Sequence, residues 1–247
     1  MSKDITPILH DWEYEPGELR VRRVDGLDGR PRIQIRMDLG LMQLEWSGRP
    51  DGARPHEADS LLEHFQGELE DHVPNVEGEA FKLSREDCWA LGQEAMQYYW
   101  RRISFFELKE YELAEADAVH NLGILQICED WAEHDEDKQI ADQYRVFVTS
   151  HRIQALALRH LQDESHGEAL EVIRAGIAEI EGLLRDQGDL EMEECAELRF
   201  LRDWETEVEE TRPLSPREKL RVDLKAAVDR EQFELAASLR DRLRQME

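Results

Sequence analysis

The stretch KEYELAEADAV, residues 109–119, returns in outline near the C-terminus as EQFELAASLRD, residues 231–241. In both stretches an aromatic residue precedes Glu-Leu-Ala, which places Ala114 and Ala236 at equivalent positions. A third stretch, SHGEALEVIRAGI, places Ala169 likewise, just past a predicted helix–helix turn with a polar linker before it. Small side chains at such positions let neighbouring helices approach closely. The sequence therefore predicts helical hairpins that pack in one shared way, although the alanines recur at an irregular period.

The first predicted hairpin resembles a tetratricopeptide repeat, in which a small residue of the second helix receives the first helix. The residues that imitate this pattern are Tyr98, Phe105, Tyr111, Ala114 and Ala118. The Trp-Leu-Gly signature of the repeat is missing at its expected offset. We interpret the middle of the chain as tetratricopeptide-like hairpins with lengthened helices, and an ordinary α-helical bundle is the alternative.

Hydrophobic periodicity divides the chain into a short β region and a long helical region. Three alternating segments within residues 18–46 predict a small antiparallel sheet with Ile33, Ile35 and Met37 on one face. Helical periodicity follows at 58–72, 84–108, 110–134, 137–162, 166–186, 190–211, 216–229 and 231–246. The segment RPLSP, residues 212–216, predicts a boundary because its prolines interrupt the helical pattern.

These patterns predict a mainly α protein in three parts. Residues 1–55 form a small antiparallel β region, and residues 56–212 form an acidic, tetratricopeptide-like helical module. Residues 213–247 form a C-terminal helical hairpin of two short helices, too small to be very stable alone.

The net charge of −26 is concentrated in the middle module. Residues 56–212 hold 14 basic and 40 acidic side chains, whereas the flanking parts are nearly neutral. Such a surface repels phosphate backbones, so nucleic acid is not the expected partner. The excess acid fits either a basic protein partner or a solvated helical surface.

Composition and termini predict a soluble cytoplasmic protein. The N-terminus lacks the pattern of a signal peptide, and no apolar run approaches the length of a membrane span. The three cysteines, Cys88, Cys128 and Cys195, form no CxxC pair, which argues against a zinc ribbon or a disulfide framework.

Six arginines of the N-terminal region are candidates for binding anions or nucleic acid. They are Arg20, Arg22, Arg32, Arg36, Arg49 and Arg54. The first four lie on one face of the predicted sheet, where they would contact phosphates or dock on the acidic module. The last two lie in the loop GRPDGARP, which precedes a helix. The alternative for this loop is a connection whose arginines contact the acidic module.

No pattern in the chain indicates catalysis. The sequence has no glycine-rich phosphate loop, no GxSxG elbow and no dinucleotide fingerprint, and HEAD at 56–59 lacks the second histidine of HExxH. An acidic residue precedes a histidine by three positions only at His120 and His166. Two such pairs are about the number that chance predicts for so acidic a composition. We therefore expect no enzymatic activity, no cofactor and no metal site.

The C-terminal stretch LRVDLKAAVDREQFELAASLRDRLRQME resembles the UVR motif, a helical hairpin named for the bacterial excision-repair proteins UvrB and UvrC. The residues that match the motif in order and spacing are Leu220, Leu224, Ala227, Val228, Glu231, Phe233, Glu234, Ala236, Ala237, Leu239, Arg240 and Asp241. The same hairpin occurs in ClpC-type chaperones and in the kinase activator McsA. The resemblance therefore implies that these twelve residues form a protein-contact module.

The resemblance implies an adaptor that binds another protein, such as a repair subunit or a Clp-type chaperone or kinase, with the acidic module as its scaffold. A homodimer is left open. The alternative function is an accessory factor of DNA repair that contacts nucleic acid through the N-terminal arginines. Repair catalysis is not implied, because nothing upstream resembles the helicase motifs of UvrB or the nuclease of UvrC.

Phe233 and Arg240 are the residues of the hairpin best suited to an interface. The ring stands at the predicted turn, and the guanidinium lies about two helical turns further on. Partly exposed aromatic and arginine side chains dominate binding energetics where they fill a partner's pocket. The alternative is that Phe233 closes its own hairpin and that Arg240 pairs internally.

Overall fold

The computed structural model describes residues 4–71, 81–186, 188, 192, 194–213 and 216–244. The chain divides into two compact units, Met1–Glu205 and Thr206–Glu247. The predicted division at 55 and 212 stays a prediction, and two residues of its proline-rich boundary, 214 and 215, lie outside the described residues.

The N-terminal region forms the predicted small antiparallel sheet. Strands β1 (Val21–Asp25), β2 (Pro31–Met37) and β3 (Gly40–Glu45) lie in the order β1-β2-β3. A short helix α1 (Thr6–Leu9), which periodicity did not predict, precedes them. The alternation of apolar and polar residues along β2 places Ile33 and Ile35 on one face, and both are buried.

The rest of the described chain is helical, which confirms the mainly α fold with helical hairpins. The helices are α2 (Leu61–Asp71), α3 (Arg85–Glu107), α4 (Tyr111–Trp131), α5 (Asp135–Gln162), α6 (His166–Asp186), α7 (Ala196–Thr211), α8 (Pro216–Asp229) and α9 (Phe233–Arg244). Their bounds follow the predicted stretches within a few residues. The predicted starts or ends at 72, 190 and 246 lie outside the described residues.

The apolar face of the sheet packs on the helices α3, α4 and α5. The buried residues of this contact are Ile33, Ile35, Leu44, Phe105, Ala114 and Ala155. Burial of branched and aromatic side chains of this size stabilises a fold by about 1.5–3 kcal/mol each. The sheet is therefore part of the first unit's core.

A buried ion pair stands beside this apolar contact. Both Arg101 of α3 and Asp117 of α4 have side chains only 5% exposed, and their two hydrogen bonds measure 2.7 and 2.9 Å. The same guanidinium donates to the backbone oxygens of Gly48 at 2.6 Å and Glu45 at 3.3 Å. Arg101 therefore ties the end of the sheet to the α3–α4 hairpin, with both buried charges compensated.

Glu94 of α3 is a second buried hub. Its carboxylate accepts the backbone N–H groups of Leu61 and Leu62 at 2.8 and 3.2 Å, at the start of α2. It also contacts His120 Nε2 at 3.1 Å and Arg49 Nε at 2.9 Å. Burial raises the pKa of Glu94, but the hydrogen bonds from His120 and the two amides outweigh it and hold the pKa below its usual value.

Three of the helix–helix connections have the same type of turn. Lys109, Glu164 and Glu231 adopt left-handed backbone conformations, with φ of 60°, 58° and 57°. After Lys109, the N–H of Glu110 donates to the carbonyl of Phe105 at 2.9 Å, and the N–H of Lys109 donates to Phe106 at 3.1 Å. This pattern is a Schellman motif, which satisfies the last carbonyls of a helix.

The same two hydrogen bonds recur at the other two turns. The longer-range bonds run from Ser165 to His160 at 2.8 Å and from Gln232 to Ala227 at 2.8 Å. In all three cases an alanine follows the left-handed residue by five positions: Ala114, Ala169 and Ala236. All three alanines are buried. The echo in the sequence is therefore a repeated turn geometry, whereas the tetratricopeptide-like interpretation stays a prediction.

We expect Lys109→Gly to stabilise the protein by up to about 1 kcal/mol, because a side chain in the left-handed region costs about 1–2 kcal/mol that glycine avoids. The matched control is Glu112→Gly, a few residues away on the exposed first turn of α4. There glycine should cost about 1 kcal/mol through its low helix propensity. Urea unfolding measures both changes, and the same sign for the two variants would contradict the turn assignment.

We expect Gly176→Ala to destabilise the α5–α6 packing. A Cβ at Gly176 would lie 2.5 Å from Ile153 Cδ1, and Ile153 is itself buried. Overpacking of this kind costs about 1–3 kcal/mol. Gly182→Ala in the same helix meets nothing within 4 Å and should gain up to about 1 kcal/mol of helix propensity. Thermal unfolding of the two variants should therefore shift in opposite directions.

Candidate protein-binding surface of the C-terminal hairpin

The interior of the α8–α9 hairpin is closed by its own small and branched side chains. Leu220 and Ala227 of α8 pack against Ala236 and Leu239 of α9, and all four are buried. Leu224 and Leu243 extend this cluster. The hairpin therefore completes a small core without using the aromatic ring at its tip.

The tip of the hairpin exposes apolar side chains. Phe233, at the first position of α9, is 69% exposed, and Val228, near the end of α8, is 50% exposed. Leu235 is 49% exposed on another flank of α9. An exposed phenyl ring forgoes the free energy that burial would provide.

Charged groups of α9 lie about two helical turns from this apolar tip. The Arg240 guanidinium lies 3.8 Å from the carboxylate of the adjacent Asp241, and both side chains are more than half exposed. Exposed pairs at this separation contribute little to stability. Arg240 is thus available to a carboxylate of a partner molecule.

The twelve motif residues divide into two groups of equal size. One group is buried or half-buried: Leu220, Leu224, Ala227, Ala236, Ala237 and Leu239. The other group is exposed: Val228, Glu231, Phe233, Glu234, Arg240 and Asp241. The first group builds the hairpin, and the second group forms a surface that we call the hairpin face.

Comparison with known proteins identifies this hairpin. Residues 217–247 match the family model of the UvrB/uvrC motif. The resemblance inferred from the sequence is thereby confirmed for the C-terminal part of the chain. The UvrB/uvrC motif is associated with protein interaction and with DNA repair. Neither the search of curated proteins nor that of solved structures gives a match for the chain.

The N-terminal arginines are held by groups of their own region. Arg20 pairs with Glu15 and lies 3.6 Å from Glu18. Arg22 donates two hydrogen bonds to Gln34 Oε1, at 2.9 and 2.8 Å. Its guanidinium also lies 3.8 Å from the centre of the Trp12 ring. These groups already receive the hydrogen bonds that a phosphate would accept.

The other two sheet arginines are engaged in the same way. Arg32 binds both oxygens of Asp28, at 2.7 and 2.9 Å, and donates to Glu45 at 2.8 Å. The Arg32 guanidinium holds the pKa of Asp28 well below its usual range. Arg36 donates to the backbone oxygens of Trp12 and Gly40, at 2.7 and 2.8 Å. The arginine face therefore neither docks on the acidic module nor presents a row of free guanidinium groups.

The two arginines of the loop GRPDGARP contact the acidic module, which is the alternative that the sequence offered to an anion-binding loop. Arg49 forms its ion pair with the buried Glu94 and also lies 3.1 Å from Asp51. Arg54 lies 2.7 Å from Asp59, and both side chains are exposed. Arg49 thus has a structural partner, and Arg54 is the more accessible of the two.

The described part of the chain has neither a metal-ligating cluster nor a helix suited to span a membrane. No group of three or more histidine, cysteine, aspartate or glutamate side chains in this part of the chain is arranged to hold a metal ion. None of the described helices combines the length and apolar composition that crossing a membrane requires.

We expect Phe233→Ala to leave the hairpin folded, since the ring buries little surface in it. Ala236→Leu should instead open the hairpin, because a larger side chain must enter the closed contact between the two helices. Amide hydrogen exchange across residues 216–244 distinguishes the two: protection stays within about twofold for Phe233→Ala and falls at least tenfold for Ala236→Leu. Loss of protection in Phe233→Ala would show that the ring is a structural part of the hairpin.

Proposed function

We propose that this chain is a non-enzymatic, cytoplasmic adaptor that binds another protein through the hairpin face. The observation that carries the proposal is the exposure of Phe233 on a hairpin whose core is complete without it. The acidic helical module serves as the scaffold that carries this surface. The partners that fit best are a repair subunit or a Clp-type chaperone or kinase, because proteins of these kinds carry or bind the UvrB/uvrC motif.

Two physical features support a protein as the partner. Phe233 and Arg240, both more than half exposed, are of the residue types that dominate protein interfaces. The hairpin segment 213–247 holds 8 basic and 7 acidic side chains, so it carries no strong field that would favour nucleic acid.

The second candidate function is an accessory factor of DNA repair that contacts nucleic acid. The association of the UvrB/uvrC motif with repair favours it. Its proposed contacts, the N-terminal arginines, are however engaged by carboxylates, carbonyls and an aromatic ring. We therefore place it behind the adaptor function.

Capture of the partner tests the proposal. The full chain is used to recover proteins from a lysate of the organism that encodes it, and the binding of each recovered protein is then measured with purified components. We expect Phe233→Ala and Arg240→Ala each to raise the Kd of the partner by about thirtyfold, which corresponds to about 2 kcal/mol.

The matched control is Val222→Ala, a comparably exposed apolar residue of α8 on the side away from the hairpin core. It should leave the Kd unchanged. Equal binding by Phe233→Ala and Val222→Ala would refute the hairpin face as the contact surface. Sub-micromolar binding to short duplex DNA, lost on Arg20/Arg22/Arg36→Ala with a steep salt dependence, would favour the second function instead.

A further inference from the structure

The first unit contains a groove that the hairpin face does not involve. It lies between α3, α4 and α5 and has a volume of about 990 Å³. Its walls are mostly apolar, and Trp89, Met96, Ile140 and Tyr144 on them are each about half exposed or more. Aromatic and methionine side chains are enriched where proteins bind other proteins, and methionine adapts to varied shapes.

A buried cation lines this apolar groove. Arg102 of α3 is fully buried, and its Nε donates to His151 Nδ1 at 3.1 Å. Its Nη1 has no hydrogen-bond partner, and no carboxylate in the described part of the chain lies within ion-pair distance of it. Burial lowers the pKa of Arg102 only to about 10, so the guanidinium stays charged at neutral pH. The Tyr99 ring lies 5.5 Å from the guanidinium, and Asp117, the carboxylate whose charge acts on Arg102, is already hydrogen-bonded to Arg101. A ligand carboxylate that reaches the unpaired Nη1 is therefore favoured.

An unpaired acceptor lines the groove as well. Asn121 of α4 donates from Nδ2 to the Ala95 carbonyl at 3.1 Å, which fixes the orientation of its amide. Its Oδ1 is buried and has no partner among the described residues. Arg102 and Asn121 thus offer a charged donor and a neutral acceptor within apolar walls, and the buried Asp137 Oδ2 is a further acceptor without a hydrogen bond in the lining.

We propose that this groove binds an extended, apolar peptide segment of a partner protein that carries one acidic side chain. The carboxylate binds Arg102, and a backbone N–H donates to Asn121 Oδ1. An extended backbone leaves its N–H groups free, whereas those inside a helix are already bonded. A fatty acid supplies the carboxylate and the apolar chain, but its ionised head has no donor for Asn121.

The rim of the groove defines the residues that flank this segment. Glu136 and Asp137 line one end, and Arg85 lies 3.1 Å from the first and 3.6 Å from the second. Together with the net charge of the acidic module, these carboxylates favour basic residues beside the apolar segment. The groove and the hairpin face have no residue in common, so a negative result for one leaves the proposal for the other unaffected.

The test begins with selection of random linear peptides displayed on phage against the full-length protein. We expect the recovered sequences to share an acidic residue within an apolar segment. A synthetic peptide of the leading sequence should lose at least about thirtyfold in affinity when its acidic residue is replaced by the corresponding amide. The same loss should follow from Arg102→Met in the protein.

Arg102→Met fills a similar volume and removes an unpaired buried charge, so the variant should melt at the same temperature or higher. The control is Arg152→Met on α5, which removes an arginine that pairs with Glu179 at 2.6 Å and does not line the groove. It should bind the peptide normally, as should Phe233→Ala.

Alkylation of Cys88 locates the bound peptide independently of any variant. Cys88 lines the groove, and a hydrogen bond from the Cys128 thiol lowers its pKa, so it is the thiol most suited to labelling there. Bound peptide should slow its labelling at least fivefold, read by mass spectrometry, with Cys195 as the internal reference. Three results would overturn the proposal: no enrichment of acidic sequences, undiminished binding by Arg102→Met, or equal protection of Cys88 by laurate.

Discussion

The left-handed turn that joins two helices fixes the arrangement of the side chains between them. In the α3–α4 hairpin the turn residue is Lys109, and positions equally far from it along the chain face each other. Arg101 and Asp117 each lie eight residues from Lys109, and they form the buried ion pair. Tyr98 and His120 each lie eleven residues away, and their rings stack at 3.6 Å. The turn therefore sets the register on which the buried polar contacts depend.

The buried charges in turn attach the N-terminal sheet to this hairpin. Arg101 reaches backbone oxygens at the end of β3, and Glu94 reaches Arg49 and the start of α2. Breaking one partner of such a pair leaves an uncompensated charge, which is costly in a low-dielectric interior. A shift of the hairpin register by one residue would disturb these contacts together, so the sheet and the helices specify each other's position.

The sequence predicted the elements of the fold because periodicity is a local property. Helix bounds agreed within a few residues, and the alanine of each repeated turn was visible from its neighbours. Two arginine partners were not predictable, because Gln34 becomes a neighbour of Arg22 only through strand register and Glu94 becomes a neighbour of Arg49 only through helix packing. For the same reason the sequence did not reveal Arg102, whose unpaired Nη1 is recognisable only when the side chains around it are placed. Cys88 and Cys128, far apart in the sequence, also meet through the packing of α3 on α4.

The three repeated turns separate what the hairpin needs for folding from what it can use for binding. Each turn places a residue two positions after the left-handed one: Tyr111, His166 and Phe233. Tyr111 is half-buried beside Phe106, and the equivalent residue of the second turn, His166, has a polar imidazole ring. The turn itself therefore requires no exposed phenyl group at this position. The alanine three positions later is common to all three and is buried in each. Folding thus accounts for Ala236, whereas the exposed ring of Phe233 has no equivalent role inside the hairpin, and this difference is what the proposed partner contact rests on.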